Sequence, residues 1–210
     1  LLNTIVFDKT GTLTIGAQAV VGTAVVAGWS ATDALALAAA AEGDSEHMIA
    51  RAIRQAAQQT GLALPSVGEF AAIKGRGIQD LYENRLAYIG GPRLLEMLEV
   101  TPPTVVADFA GAAGEKGQSV VFLVVASQVV AAFAIADAIR PESLAAVTAL
   151  HGMGKEVAML TGDSEAVART VAAELGIDRY FAQVLPEQKD AKIAELQRHG
   201  RTVAMVGDGV

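Results

Sequence analysis

Residues 4–14 read TIVFDKTGTLT, an apolar run that ends abruptly in an acid, a lysine and threonines around one glycine. The apolar run over 4–7 predicts a short buried strand. Asp8 follows it directly, and Thr10 and Thr12 then offer hydroxyl groups beside backbone amides. Ligands of open parallel sheets bind outside the carboxyl ends of the strands. The stretch therefore predicts an α/β fold with a polar site at the end of its first strand.

The last third of the chain alternates between helix and strand patterns. Such alternation predicts a doubly wound parallel sheet, which also takes in the first strand. We expect this sheet to be incomplete at its C-terminal end. The predicted helices cover 141–151, 164–175 and 186–198, and the predicted strands cover 155–160, 180–182 and 202–206.

The middle of the chain follows a different pattern. Short strand patterns separated by turn signals predict a mostly antiparallel sheet combined with helices. We expect one helix to be capped by Thr32 and the next by Ser45. The predicted strands cover 19–27, 67–73, 78–82, 85–89 and a pair within 119–134, and a further helix covers 104–114.

These patterns predict two domains. Residues 1–16 and 136–210 form the α/β domain, and residues 17–135 form an inserted α+β domain built on the antiparallel sheet. The chain starts inside one strand pattern and stops directly after another. We therefore expect it to be part of a larger protein.

Composition excludes several classes of function. The 210 residues carry a net charge of −7, and their pI is about 5.0, without a basic stripe, which argues against nucleic-acid binding. The mean hydropathy is +0.38, yet no apolar run reaches the roughly 18 residues of a membrane span. Because the chain contains no cysteine, disulfides and thiolate metal ligands are excluded.

Three strands of the α/β domain end in polar, glycine-bearing loops. The second and third loops read LTGDS at 160–164 and VGDGV at 206–210. The carboxyl ends of parallel strands meet at one edge, so Asp8, Thr161, Asp163 and Asp208 should converge there. Carboxylates in one cleft repel each other unless a cation joins them. Hard oxygen ligands select Mg²⁺, which usually accompanies phosphate.

Two more features support phosphate chemistry at this edge. Lys189, in PEQK at 186–189, lies early in a predicted helix and can neutralise phosphate charge. A carboxylate such as Asp8 can also accept a phosphoryl group covalently. The residues alone thus predict phosphoryl transfer in an Mg²⁺ site.

The same motifs resemble those of the P-type ATPases. DKTGTLT at 8–14 matches the phosphorylation signature of that family, and TGDS, PEQK and GDGV follow in the family's order. The resemblance covers both domains. It implies a phosphorylation domain of haloacid-dehalogenase type and an inserted nucleotide-binding domain.

The resemblance also implies roles for individual residues. Asp8 would be phosphorylated within the catalytic motif Asp8-Lys9-Thr10, with ATP as the substrate. Asp8, the carbonyl of Thr10 and Asp208 would bind Mg²⁺. Contacts with phosphate would come from Thr161, Gly162 and Lys189. Asp163 would lie close to the nucleotide.

The inserted domain resembles the heavy-metal-transporting P1B subclass. EGDSEHMIARAI at 42–53 is similar to its Ser-Glu-His-Pro motif, although Met48 stands where the family has proline. KGRGI and IGGPRLL resemble its glycine-containing loops. The resemblance implies that His47 stacks on adenine and that Glu42 bonds the adenine edge. The backbone would approach the nucleotide at Gly75, Gly77 and Gly90.

We therefore expect the cytosolic ATP-binding and aspartyl-phosphorylation unit of a membrane pump for a transition metal. Its partners would be the transmembrane and actuator domains of the parent pump. The transported ion, which this unit would not bind, stays open among copper, zinc, cadmium and cobalt. Alone, the unit should show little steady turnover of ATP.

Two alternatives remain at this stage. A free-standing phosphatase of the haloacid dehalogenase superfamily usually carries a second aspartate two residues after the nucleophile, where this chain has Thr10. A non-catalytic nucleotide-binding module would not need the intact Asp8-Lys9-Thr10 motif.

Overall fold

A computed structural model describes residues 2–43, 45–198 and 200–207 of the chain, without the side chain of Pro186. It divides into two compact units, Leu1–Ala17 with Asp137–Val210, and Gln18–Ala136. In this described part, no helix combines the length and the apolar character that a membrane crossing requires.

The described residues form ten strands and seven helices. The strands are β1 (Thr4–Asp8), β2 (Thr14–Val25), β3 (Gly68–Ile73), β4 (Gly77–Tyr82), β5 (Arg85–Gly90), β6 (Ser119–Val125), β7 (Gln128–Ile139), β8 (Glu156–Leu160), β9 (Arg179–Phe181) and β10 (Val203–Val206). The helices are α1 (Ala31–Ala41), α2 (Met48–Gln59), α3 (Pro92–Leu98), α4 (Thr104–Glu115), α5 (Ser143–Gly152), α6 (Glu165–Leu175) and α7 (Lys189–Arg198).

The first unit contains a parallel sheet of four strands in the order β10-β1-β8-β9. Alternate residues of β8 face two different cores, as the period of two requires. Val157 and Met159 pack with residues of α5 and α6, whereas Ala158 and Leu160 pack with a residue of α7. Helices therefore cover both faces, which confirms the predicted doubly wound α/β fold.

A second sheet has six strands in the order β2-β7-β6-β5-β4-β3, and the pairs from β7 to β3 are antiparallel. The turn between β4 and β5 has positive φ at Glu83 (48°) and Asn84 (59°), which suits a tight hairpin. Phe133 and Leu123 pack against α1 and α2, and Phe122 packs on the other face against α3 and α4. The predicted antiparallel α+β insertion is confirmed.

Four predicted helix starts were wrong. Ser30, not Thr32, caps α1, because its hydroxyl accepts the Asp33 amide at 3.0 Å. Helix α2 is capped by His47 rather than Ser45, so it begins two residues later than expected. Helix α5 begins at Ser143 rather than at residue 141. Helix α7 begins at Lys189 rather than at residue 186, because Pro186–Gln188 form a short 3-10 turn.

Candidate active site

Asp8 stands at the carboxyl end of β1, in the middle of the parallel sheet, where it is paired with Leu160 of β8. The Nζ atom of Lys189, the first residue of α7, donates to Oδ2 of Asp8 at 2.5 Å. The two side chains are 17% and 25% exposed, so the pair is open to a ligand. A partly desolvated carboxylate beside an ammonium group can approach an anionic phosphate, because the lysine offsets the repulsion.

The Lys9 side chain turns away from solvent and is only 3% exposed. Its Nζ atom lies 3.0 Å from Oδ2 of Asp137 and 3.0 Å from Oδ2 of Asp163. Two carboxylates therefore compensate one buried ammonium group, as a buried charge requires. Lys9 joins the ends of three strands and is not free to bind a ligand.

Thr161 and Asp163 form a compact turn after β8. The Thr161 hydroxyl donates to Oδ2 of Asp163 at 2.7 Å and accepts the Asp163 amide at 3.1 Å. Partial burial raises the pKa of Asp163, but the hydrogen bonds from Thr161 and Lys9, with the charge of Lys9, outweigh that effect. The net result is a pKa below the ordinary value of 3.8. Asp163 is therefore a carboxylate at neutral pH.

Arg140 forms hydrogen bonds to the backbone of the loop between β1 and β2. Its guanidinium donates to the carbonyls of Gly11 at 3.0 Å and Thr14 at 3.1 Å. Gly11 has φ of +77°, which glycine adopts without strain. The hydroxyl Oγ1 of Thr12 is buried and has no hydrogen-bond partner among the described residues. An unpartnered hydroxyl in this loop is a donor available to a phosphate oxygen.

Two residues of this site, Asp137 and Arg140, were not among the predicted site residues. Asp137 accepts hydrogen bonds from Lys9, from the Thr14 hydroxyl at 2.6 Å and from the Gly16 amide at 2.8 Å. The available signal was an acid that ends the apolar run of β7, just as Asp8 ends β1.

Among the residues expected to bind Mg²⁺, Asp8 lies at the end of β1. Asp208 lies outside the described residues, and within the described ranges no three His, Asp or Glu side chains are grouped tightly enough to hold a metal. Gly207 is close to Asp8, however, because a Cβ atom added to it would lie 3.7 Å from the Asp8 Cβ. The residue that precedes Asp208 in the sequence therefore lies beside Asp8, whose carboxylate oxygens suit a hard cation.

The packing around Gly162 leaves room for a side chain. A Cβ atom added at this position would meet only the Val184 carbonyl oxygen, at 3.6 Å. That is an ordinary contact, so the protein interior does not require glycine here. The described contacts assign Gly162 no role of its own.

The second unit contains a cavity of about 440 Å³. All five residues predicted for adenine binding line it, namely Glu42, His47, Gly75, Gly77 and Gly90. Lys74 and Arg76 line it as well and bring positive charge, while apolar side chains such as Ile78 and Ile89 supply the walls. An apolar cavity with a few polar groups is the usual form of a small-molecule site.

His47 has a structural role in this cavity wall. Its Nδ1 atom accepts the Ile49 amide at 3.3 Å, which caps α2 and fixes the ring. Met48 is therefore the first helical residue and is 66% exposed. The first position of a helix accepts proline because its amide has no partner within the helix. Methionine in place of proline thus leaves the helix start intact.

The packing of two strands explains two of the predicted glycines. Gly77 and Gly90 lie opposite each other in β4 and β5. A Cβ atom on Gly77 would lie 2.0 Å from the Ile89 carbonyl oxygen, and one on Gly90 would lie 2.1 Å from that of Arg76. The fold therefore needs glycine at both positions, whatever the cavity binds. Gly75 has open space around it and φ of +70°.

A family model for haloacid dehalogenase-like hydrolases matches residues 2–210. The chain therefore belongs to the haloacid dehalogenase-like hydrolases, which agrees with its parallel sheet and its aspartate at the end of β1.

The sequence relatives of the chain include copper-exporting P-type ATPases. The chain is 40% identical over its full length to a probable copper-exporting P-type ATPase V of Mycobacterium tuberculosis and covers 27% of that protein. It is also 40% identical to the copper-exporting P-type ATPase B of Archaeoglobus fulgidus, of which it covers 29%. The chain thus spans about a quarter of the length of these relatives.

Solved structures show the same likeness. The crystal structure of a zinc-transporting PIB-type ATPase in the E2.Pi state matches 99% of the chain with a TM-score of 0.83 and 32% identity, and the chain covers 33% of it. The catalytic domain of the CPx-ATPase CopB-B matches all of the chain with a TM-score of 0.57 and 27% identity, and 72% of that domain is covered.

Proposed function

We propose that this chain is the ATP-binding and aspartyl-phosphorylation unit of a transition-metal-transporting P-type ATPase. The observation that carries the proposal is the contact between Lys189 and Asp8 at the end of the parallel sheet. In this proposal, residues 1–16 with 136–210 act as the phosphorylation domain, and residues 17–135 act as the nucleotide-binding domain.

Asp8 is the nucleophile of the proposed reaction. A carboxylate oxygen of Asp8 forms a bond to the γ-phosphorus of ATP, the bond from that phosphorus to the bridging oxygen breaks, and ADP leaves. Lys189 offsets the negative charge as the two anions approach. Thr12 supplies a hydroxyl donor for the phosphoryl oxygens, and Gly162 offers its amide. Thr161 contacts the phosphate by turning its hydroxyl proton away from Asp163.

Lys9 acts differently from Lys189. Because Asp137 and Asp163 hold its ammonium group, it acts as a positioning residue for the carboxyl end of β1. Asp163, the residue expected near the nucleotide, can still accept a hydrogen bond, since it is 39% exposed. The loop is thereby preorganised before a substrate binds.

Mg²⁺ is the proposed cofactor. Asp8, the carbonyl of Thr10 and Asp208 would hold it, and the ion would neutralise charge on the phosphates. The acidic oxygens at this edge match the preference of a hard cation.

A lasting aspartyl-phosphate separates this proposal from a phosphatase. Hydrolysis of the intermediate needs a base that activates water. Thr10 occupies the position two residues after the nucleophile, and a hydroxyl group is a poor base at neutral pH. The phosphorylated chain should therefore persist, which suits a unit whose parent protein uses the intermediate to drive transport.

The cavity of the second unit is the proposed adenine site. Glu42 and His47 supply polar contacts, Ile78 and Ile89 supply apolar walls, and Lys74 adds positive charge that suits a nucleotide phosphate. A non-catalytic nucleotide module would share this cavity but would not need Lys189 beside Asp8.

The wider function is proposed from the relatives. Two of them are named as copper-exporting pumps and one solved relative as zinc-transporting. We propose that the parent protein is a membrane pump for such an ion, with this unit on the cytosolic side, joined to transmembrane and actuator domains. The transported ion would bind outside this unit.

The test is direct detection of the phosphorylated aspartate. The chain is incubated with Mg²⁺ and ATP labelled in the γ-phosphate, quenched in acid and treated with hydroxylamine, which cleaves acyl phosphates. We expect hydroxylamine-sensitive label in the wild type and none in Asp8→Asn, which keeps the shape of the side chain. Equal labelling of both proteins would refute the proposal.

A further inference from the structure

The carboxyl group of Glu42 is buried in the wall of the cavity. The residue is only 6% exposed, and its Oε2 atom has no hydrogen-bond partner among the described residues. A buried polar atom without a partner costs about 1–3 kcal/mol unless something satisfies it. Glu42 lines the cavity, so a ligand in the cavity can supply that partner.

Arg54 does not pair with this carboxyl group. Its Nη1 atom instead donates to two backbone carbonyls, those of Glu42 and of Ser45, the latter at 2.7 Å. In the described part of the chain, no lysine, arginine or histidine forms an ion pair with the Glu42 side chain. Arg54 thus holds the backbone around Glu42 and does not neutralise its carboxyl group through an ion pair.

Several groups around Glu42 influence the pKa of its carboxyl group. Burial is the largest influence and raises its pKa, and the charge of Asp80, which is 2% exposed in β4, raises it further. A hydrogen bond with Ser45 and the charges of Arg54 and His47 act in the opposite direction, but the net pKa is raised. Lys74 and Arg76 complete the charged lining of the cavity.

The ionised and the protonated form of a carboxyl group match different nucleobases. An ionised carboxylate only accepts hydrogen bonds, whereas a carboxylic acid both donates and accepts. The edge of adenine presents a donor, the N6 amino group, beside an acceptor, N1. Guanine presents two neighbouring donors, N1–H and the N2 amino group. The carboxylate therefore matches guanine, while adenine next to a carboxylate leaves two acceptors facing each other.

We propose that Glu42 determines base specificity by contacting the N6 and N1 edge of adenine as a carboxylic acid, so that binding of an adenine nucleotide takes up one proton. The acid donates from one oxygen to N1 and accepts from N6 at its other oxygen. No covalent bond changes except that between the proton and the carboxyl group. This inference rests on the proposed nucleotide site and adds the chemical form in which the site works.

This proposal makes the affinity for an adenine nucleotide depend on pH. Because adenine binds the protonated form, its affinity is greatest below the pKa of free Glu42. The affinity falls as the pH rises through the pKa of the bound state. GTP carries the same phosphates, so the ratio of the ATP and GTP affinities removes their titration from the comparison.

The experiment is calorimetric titration of the chain with ATP and with GTP between about pH 5 and about pH 8, each in two buffers of different ionisation enthalpy. For the wild type we expect proton uptake with ATP, and an ATP-to-GTP affinity ratio that falls at least about fivefold over this range. One proton sets an upper bound of about tenfold per pH unit.

Two variants isolate Glu42. Glu42→Gln keeps a donor and an acceptor but cannot ionise. We therefore expect the ATP affinity of this variant to stay within about threefold of the low-pH wild-type value. Its ATP-to-GTP affinity ratio should not change with pH. His47 is present in both proteins, so the difference between them belongs to Glu42. Asp80→Asn removes a charge that favours the acid, so the fall in ratio should move to lower pH.

The outcomes separate the two proposals. A wild-type ratio that is constant with pH, or equal proton uptake in Glu42→Gln, overturns the role of Glu42 while the adenine site stands. If neither nucleotide releases heat or shifts the amide resonances of the cavity at any pH, the proposed nucleotide site itself fails.

Discussion

The Nζ atom of Lys9 lies 3.0 Å from Oδ2 of Asp137, although 128 residues separate the two in the chain. Asp137 also binds Thr14 and Gly16, so one carboxylate connects the lysine of the motif to the strand that follows it. The loop that presents Asp8 therefore depends on a residue that returns to the first unit only after the whole insertion.

Replacing Asp137 with asparagine should destabilise the first unit. Lys9 would remain buried with only Asp163 as its partner, and the loss of a buried partner costs about 3 kcal/mol. We expect faster hydrogen exchange of the β1 and β8 amides, with the cost measured in native-state exchange. Glu83→Gln is the matched control, because its pair with Arg85 is 47–60% exposed and should contribute less than about 1 kcal/mol. Equal effects of the two variants would contradict this role of Asp137.

Replacing Lys189 with methionine should slow phosphorylation of Asp8. Methionine keeps the length of the side chain but removes the charge that lies 2.5 Å from Asp8. We expect the rate of label incorporation from ATP to fall roughly 100-fold or more. Lys192→Met, three residues along α7, removes a lysine that pairs with Glu195 and should leave the rate nearly unchanged. A similar loss in both variants would mean that α7 as a whole, not Lys189, is responsible.

Replacing Thr10 with aspartate should shorten the life of the aspartyl-phosphate. The change places a carboxylate two residues after the nucleophile, where it can activate water, so dephosphorylation should accelerate at least about tenfold. Thr10→Asn is similar in shape but has no base, and it should not accelerate the reaction. The wild-type chain should release little phosphate from ATP in steady state. Rapid release by the wild type would instead favour the phosphatase.

Acid should remove the stabilising effect of Asp163. Because the pKa of this carboxyl group lies below its ordinary value of 3.8, its contribution to stability is fully present above that value and is lost as the pH falls through the lower pKa of the folded state. The difference in melting temperature between the wild type and Asp163→Asn should therefore shrink towards low pH. Gln197→Ala, an exposed substitution in α7 that changes no titratable group, serves as the control and should show no such trend. A difference that stays constant down to about pH 2 would contradict the prediction.

Replacing Gly77 with alanine should destabilise the second unit. The new Cβ atom would meet the Ile89 carbonyl oxygen at 2.0 Å, so β4 and β5 must separate at a cost of about 3 kcal/mol. Urea unfolding followed by Trp29, the only tryptophan, measures the change. Gly114→Ala in α4 meets no atom within 4 Å and should stabilise the unit by about 0.5–1 kcal/mol. An unchanged midpoint for Gly77→Ala would show that the strands can relax.

Local patterns made much of the fold predictable. Strand and helix positions agreed with the period of the apolar residues, and the turn at Glu83 and Asn84 followed from residue type. The caps of α1 and α2 were not predicted, because each helix start offers more than one side chain that can bond an amide locally, Ser30 or Thr32 for α1 and Ser45 or His47 for α2.

The sequence by itself determined the order of the motifs and the end of each strand, which is why Asp8 and Thr161 could be placed at one edge in advance. The resemblance to the P1B subclass implied that Glu42, His47 and Gly75 belong together. The placement of Asp8 and Thr161 follows from a short-range rule, because the direction of a parallel strand decides which of its ends faces the site.

Only the tertiary structure decided what the side chains do there. It directed Lys9 to Asp137 and Asp163, turned Arg140 onto the Gly11 carbonyl, and showed that Gly77 is required by a neighbouring strand. Each of these contacts joins residues that are distant in the chain. Their geometry depends on how buried surfaces pack, and the spacing of residues along the chain carries no record of that packing.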